Sequence, residues 1–462
     1  MTQVEQLGEW AASLRTDDLL LPVRTAARRL LLDALANAAA GPRAPGMQLL
    51  TREMQTWSEG GRAATAGSPA RLPAPAAAAV NGAAIHAWEF DDTHDAAVVH
   101  CTAAVVPAVL AAADQVGGVP GRDALAAVVA GVEVTARLGC AMPPLVGFER
   151  SALCGAFGAA AAGARVLGLG SAATAAALGL VYSRCAGNRL GISEGVWSKR
   201  WQMGLVAEAG VTAALLAARG AGGPRRVLDG PFGLFEVYAR GRARPDQLLA
   251  DLGTRWETER VSLKPYPCCR FVHPAVDAAR AVAHRLDGRS IREVEVQIPE
   301  AEMLTLIVSR PDAGGEPVVR RQFSLTWCVA AALSAKDVTL ELVASAAPSD
   351  AVEALATRVH VSYGPPPAHP LGFVPMRVAV TTEDGKRLEA SCEVPPGHPT
   401  RPLSAEDLTA KVARCVRFAG RDDREADRLI GLLSALEGLA DARVLGDWLM
   451  DPVAVEARRG GV

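Results

Sequence analysis

The ionisable groups of this sequence are concentrated in one place. In residues 81–107, NGAAIHAWEFDDTHDAAVVHCTAAVVP, His86, Glu89, Asp91, Asp92, Thr93, His94, Asp95 and His100 fall within fifteen positions, flanked by Ala-rich apolar sequence. An unpaired buried charge is costly, so such a run is either a solvated helix end or a proton-transfer site. A helix over 79–93 would put His86, Glu89, Phe90 and Thr93 on one face. Asp91 and Asp92 would then point to caps, backbone amides or arginines. His100 would follow a turn and open the next apolar helix, beside orphan backbone N–H groups that favour neutral imidazole. An ordinary pKa near ~6.5 suits a histidine there to proton transfer at neutral pH. The plainer alternative is a helix-start residue bonded to its own turn.

Cationic partners are few. Only Lys199, Lys264, Lys336, Lys386 and Lys411 stand against an arginine-rich background. Lys199 and Lys264 are the natural anchors, because an ammonium beside a carboxylate binds it and draws charge from a developing enolate. Pro265 and Pro267 stiffen the backbone around Lys264. By residue type alone, both lysines read equally well as surface groups. Arg200 and Arg270 either bind an anion or form structural pairs. His273 begins a helix and either caps it or carries a proton, a role for which Cys269 is a further rival to His100.

The spacing of His94, His100 and the acids matches no recurrent metal motif. No Gly-rich loop follows a strand to open a helix, and no Ser or Cys sits in a nucleophile elbow. The expectation is acid–base chemistry with cationic anchors, without metal, nucleotide or flavin.

Helical periodicity covers 3–15, 22–40 (with Gly41 as C-cap), 45–60, the site helix, 103–116, 121–140, 154–167, 172–185, 199–219 and 247–252. No strand signal stands out before residue 254. Beyond it, 292–300 and 357–364 alternate as strands, and 376–394 reads as a hairpin around the Asp-Gly of 383–386. Helices return after a Pro-rich loop, opening with the cap pattern Ser404-x-x-Asp407 and running to about 457. The reading is a mostly α protein: a large all-helical domain of 1–262 and 403–462, with a smaller α+β domain inserted at 263–402.

With 462 residues the chain can bury a sizeable core, and a net charge of −2 argues against nucleic acid or an anionic membrane as partner. Nine scattered cysteines without a CxxC favour reduced thiols and a cytoplasmic location. The acidic amphipathic N-terminus does not read as a signal peptide, and the longest uninterrupted apolar runs are too short to span a bilayer.

The run EFDDTHDAAVVH resembles the signature of the MmgE/PrpD family. Further similarities follow in order: GVEVTARLG (131–139), CGAFGAAAAGARVLGLG (154–170), SKRWQMGLVAEAG (198–210), KPYPCCRFVHPAVDAA (264–279) and RQFSLTWCVAAAL (321–333). That family contains 2-methylcitrate dehydratases, cis-aconitate decarboxylases and an iminodisuccinate epimerase. The resemblance implies an active site in the cleft between two domains and a homodimer built on the helical one. It also implies site roles for Thr93, His100, Lys199 and Lys264, with Glu89 where some members carry aspartate. The expected activity is a cofactor-independent lyase of the dehydratase type acting on a small carboxylate; epimerisation, decarboxylation and a non-catalytic binding role are the alternatives. Three departures stand out: Glu149 and Cys269 where histidines occur in relatives, and Trp327 in place of a tyrosine. They imply weaker binding of a tricarboxylate.

Overall fold

The computed structural model describes residues 1–58, 60–143, 147–301, 304–308, 315–346, 349–366 and 375–450. The protein is mostly helical, with a smaller α/β part towards the C-terminus. The helices used below are α1 (Leu21–Ala40), α2 (Ala74–His86), α3 (Thr102–Val116), α4 (Gly121–Ala141), α5 (Arg150–Val166), α6 (Ser198–Ala218), α7 (His273–Ala283), α8 (Leu325–Ala335) and α9 (Ala405–Phe418). Helices α2 to α6 pack on one another as the core of the helical part. Their facing residues are mostly alanine, glycine and valine, so the backbones lie close.

A close backbone approach joins α2 to α6. A Cβ on Gly82 would sit 2.7 Å from the carbonyl oxygen of Ala103 and 2.9 Å from Cα of Gly204, and one on Gly204 would overlap the carbonyl of Ala79. Only glycine fits either position, and that contact sets the end of α2 beside the start of α6. Gly41 does follow α1, but in right-handed geometry; its missing side chain leaves room for the backbone of Ala84 on α2.

Strands β1 (Thr93–His94) and β2 (Val261–Ser262) form a two-residue antiparallel ladder, pairing Thr93 with Ser262 and His94 with Val261. This overturns two expectations. The helix stops at His86 instead of continuing to 93, and a strand lies inside the region read as all-helical. Glu89 is in the left-handed region at φ 53°, which no continuing helix tolerates. Trp88 also turns inward to donate to the carbonyl of Ala40 at 2.8 Å.

Strands β3 (Ile291–Pro299), β4 (Val359–Gly364), β5 (Met376–Thr382) and β6 (Arg387–Cys392) build a sheet of order β4-β3-β5-β6, parallel only between β3 and β4. Helix α7 covers β5 and β6, and α8 packs beside it. The expected hairpin turns at Gly385, φ 82°. The capping box of Ser404 and Asp407 opens α9, which returns to pack on α1. The expected helix end near 457 lies outside the described residues. Contrary to the reading from apolar runs, α4 and α6 are each long and apolar enough to cross a membrane; 94% of the most apolar window of α4 is buried inside the fold, and 56% of that of α6.

Candidate active site

Four pieces of backbone converge on Glu89. Helix α2 ends on His86, α6 begins with Lys199 in its first turn, β2 leads into Lys264, and His100 lies just before α3. The rungs of β1 and β2 bring Lys264 to Glu89 although the two are 175 positions apart. Leu263 is fixed by a 3.0 Å bond from its N–H to the carbonyl of Gly397.

Glu89 is gripped by two ammonium groups. Lys264 Nζ donates to its Oε1 at 3.1 Å and to its main-chain carbonyl at 2.9 Å, while Lys199 Nζ donates to Oε2. Burial pushes the Glu89 carboxyl up, but Lys199 and Lys264, with His86 and His100, hold it well below its ordinary value. Burial likewise works against charge on Lys264, yet Glu89 and Asp91 raise its pKa.

Lys199 Nζ also donates to His86 Nε2 at 2.5 Å, and His86 Nδ1 bonds Asp91 Oδ2 at 2.8 Å. A carboxylate on Nδ1 fixes the tautomer that leaves Nε2 as acceptor. The Asp91 carboxyl, raised by burial, is held low by His86 and His100. His86 is a site residue that the sequence reading does not assign, and the helical face it was expected to share with Glu89 ends at His86 itself. Its signal is its place in the densest titratable run of the sequence.

His100 keeps 14% of its side-chain surface exposed. Its Nδ1 donates to the carbonyl of Asp92 at 2.6 Å, with Thr93 Oγ1 at 3.3 Å, so Nε2 carries the lone pair. Nε2 lies 3.4 Å from Glu89 Oε1. Burial lowers the His100 pKa to about 4, against the pull of Asp91, so the imidazole is neutral near pH 7. Asp92 takes the cap role: it accepts from the N–H groups of Cys101 at 2.9 Å and Thr102 at 3.0 Å. Burial, then Asp91, raises it to about 6.

A cavity is lined by Glu89, Thr93, His100, Glu149, Lys199 and Cys269, among others, while His86, Asp91, Asp92 and Lys264 are buried behind that lining. Glu149 sits at the N-cap of α5; burial raises its pKa, but Arg189 and then Lys199 bring it below its ordinary value. Cys269 lines the cavity too, with its thiol pushed up by burial to about 12, which makes it a poor proton acceptor. Arg270 borders the cavity but is clamped on Asp95 at 3.1 and 3.2 Å.

Asp91 and Asp92, expected to bind substrate, are instead buried and committed to His86 and to the start of α3, and three further expected site residues lie elsewhere. Arg200 is buried, donating to the carbonyl of Pro45 at 2.9 Å, with Glu316 at 3.6 Å. His273 lies behind Arg270, between its guanidinium at 3.3 Å and the carbonyl of Cys268 at 3.2 Å, with burial and then Arg270 keeping it neutral. Trp327 donates to Glu353 at 3.1 Å and lines a different cleft. Each sits in a motif next to true cavity residues, which is why sequence position alone did not separate them.

His86, Glu89 and His100 stand close enough to share a metal ion, as do His94, Cys140 and Glu257. In the first group, however, Nε2 of His86 is taken by Lys199, and Glu89 already faces two positive charges. In the second, His94 Nε2 bonds Glu257 at 2.9 Å, and Arg255 and Arg260 flank that carboxylate. Neither donor set suits a dication.

The chain is similar over most of its length to proteins of known name. The cis-aconitate decarboxylase-like protein oryM of Aspergillus oryzae is 29% identical over 469 residues, covering 95% of each chain. The cis-aconitate decarboxylase of Homo sapiens is 28% identical over 444 residues, 92% of this chain and 90% of that protein. The cis-aconitate decarboxylase of Aspergillus terreus is 31% identical over 317 residues, 64% of each. Residues 5–246 match the MmgE/PrpD N-terminal domain and residues 266–434 the MmgE/PrpD C-terminal domain, so the chain belongs to the MmgE/PrpD family.

Proposed function

We propose that this protein is a cofactor-independent lyase of the decarboxylase/dehydratase type, acting on a small carboxylic acid. One observation carries the reading: a neutral His100 and the ammonium of Lys199 open onto the same cavity, with Lys264 braced behind Glu89. Either elimination develops negative charge on a carbon next to a carboxylate. In decarboxylation the C–CO₂ bond breaks, CO₂ leaves, and a proton drawn from water replaces it on carbon. In dehydration a base removes the α-proton and hydroxide leaves with a proton. Lys199 stabilises the developing charge in both, in the place a Lewis acid would otherwise hold. His100 Nε2 takes up or returns the proton. Once protonated, it faces the Glu89 carboxylate 3.4 Å away, which stabilises the imidazolium against the cost of burial.

The names of the relatives favour decarboxylation. A resting His100 that is neutral favours a step that begins with proton abstraction, as dehydration or epimerisation does. A panel of small carboxylic acids, incubated in deuterated water with protein exhaustively treated with chelator, separates the readings. Release of CO₂ with one deuteron incorporated marks a decarboxylase, a mass loss of one water a dehydratase, and exchange without mass loss an epimerase. Activity that appears only after a metal is restored would sink the cofactor-independent reading, and silence across the panel would sink the enzyme.

A further inference from the structure

We propose that the substrate is a mono- or dicarboxylic acid and not a tricarboxylic acid. The inference rests on the lyase reading above and on an inventory of the cavity's hydrogen-bond donors. A guanidinium has five N–H groups. In Arg270, Nε donates to Asp95 Oδ1 at 3.1 Å, Nη2 to Asp95 Oδ2 at 3.2 Å and Ser262 Oγ at 3.3 Å, and Nη1 to the Pro396 carbonyl at 3.1 Å and His273 Nδ1 at 3.3 Å. Its donors are committed within the protein, so it offers no fork to a substrate carboxylate. Lys264 gives two hydrogens to Glu89 and is itself fully buried. Lys199 gives two, to His86 and Glu89, which leaves its third for a ligand.

The cationic wall thus offers one ammonium hydrogen at Lys199, supported by the hydroxyls of Thr93 and Ser151, and Arg189. Arg189 acts on Glu149, whose carboxyl it holds down. One carboxylate is served at Lys199, and a second only in competition with the partners Arg189 already has, Glu149 among them. A third would meet the carboxylates of Asp95 or Glu149, or apolar side chains such as Ile192, Phe271, Leu306 and Phe323. A buried anion without a partner, or opposite a like charge, is strongly disfavoured. The apolar stretch instead suits an uncharged alkyl or alkenyl part of the substrate.

Calorimetric binding of three unreactive probes tests this: butyrate, methylsuccinate and tricarballylate, with one, two and three carboxylates. The wild-type protein should bind methylsuccinate or butyrate at least about tenfold more tightly than tricarballylate. Glu149→Gln should close that gap by about tenfold, chiefly by tightening tricarballylate. Wild-type protein that binds tricarballylate as well as the smaller acids would overturn the substrate class while leaving the lyase reading intact. A gap unchanged in Glu149→Gln would remove Glu149 as its cause. The wild-type rank order decides the class even if the variant does not fold. Binding of none of the three, together with silence in the reaction panel, would remove both readings.

Discussion

His100 is held as an acceptor by its neighbours: the Asp92 carbonyl fixes the proton on Nδ1, and burial keeps the ring uncharged down to about pH 4. The kcat/KM profile of the free protein should therefore stay level through pH 6.5 and fall as pH drops through about 4. A limb centred on 6.5 would mean that His100 is not the titrating base. His100→Asn should abolish turnover yet retain ligand binding, since the amide cannot carry the proton. The two lysines should differ on removal. Lys199→Ala should lower kcat about a hundredfold or more with little loss of stability, because Lys264 still compensates Glu89. Lys264→Ala should lose as much activity and also about 1–3 kcal/mol of stability, read by denaturant unfolding, because the buried main-chain carbonyl of Glu89 loses its partner while Lys199 still pairs the carboxylate. The sign of the pH effect follows from Glu89. Its lowered pKa contributes stability above its ordinary value of 4.5, and this is lost as pH falls towards the folded-state value.

The elements explain what could be read from sequence and what could not. Helices α3, α4 and α6 were legible because Ala, Val and Leu recur at helical spacing, and the β5–β6 hairpin because an Asp-Gly turn divides two alternating runs. The end of α2 was not legible. Residues 87–93 keep helical periodicity, but the helix ends before Glu89, which takes left-handed geometry with its carbonyl and carboxylate bonded to a lysine 175 positions away, a contact no local pattern encodes. The site residues were legible by type and density, yet the split between cavity groups and structural pairs depended on side-chain direction. Gly204 offers a test at this scale. Gly204→Val would drive Cβ into the backbone at Ala79, so α2 and α6 must separate. The expected cost is about 1–3 kcal/mol in unfolding free energy. Turnover should fall far more than that figure implies, because the shift parts His86 from Lys199. A variant with wild-type kcat would show that the helix contact does not set the site.

On the scale of the whole molecule, the outer face of α6 carries Leu205 and Leu216, exposed at 43% and 48%, on a helix that is otherwise strongly apolar. We propose that a second copy of the chain covers this face, and light scattering at micromolar concentration should give twice the monomer mass. A monomer mass there would count against the dimer expected from the family resemblance. That a mostly helical protein carries a smaller sheet part towards its C-terminus was legible in the alternating runs beyond residue 290. The ladder of β1 and β2, inside the region read as all-helical, was too short to leave a signal.

That ladder bears on the order in which the protein is made whole. Only two residue pairs align Lys264 with Glu89, and they link segments that emerge from the ribosome far apart. Contacts of such high sequence separation close late, after local helices have formed. On refolding, helical circular dichroism should therefore recover before activity does. If both returned with one rate constant, the ladder would already be present in the rate-limiting step.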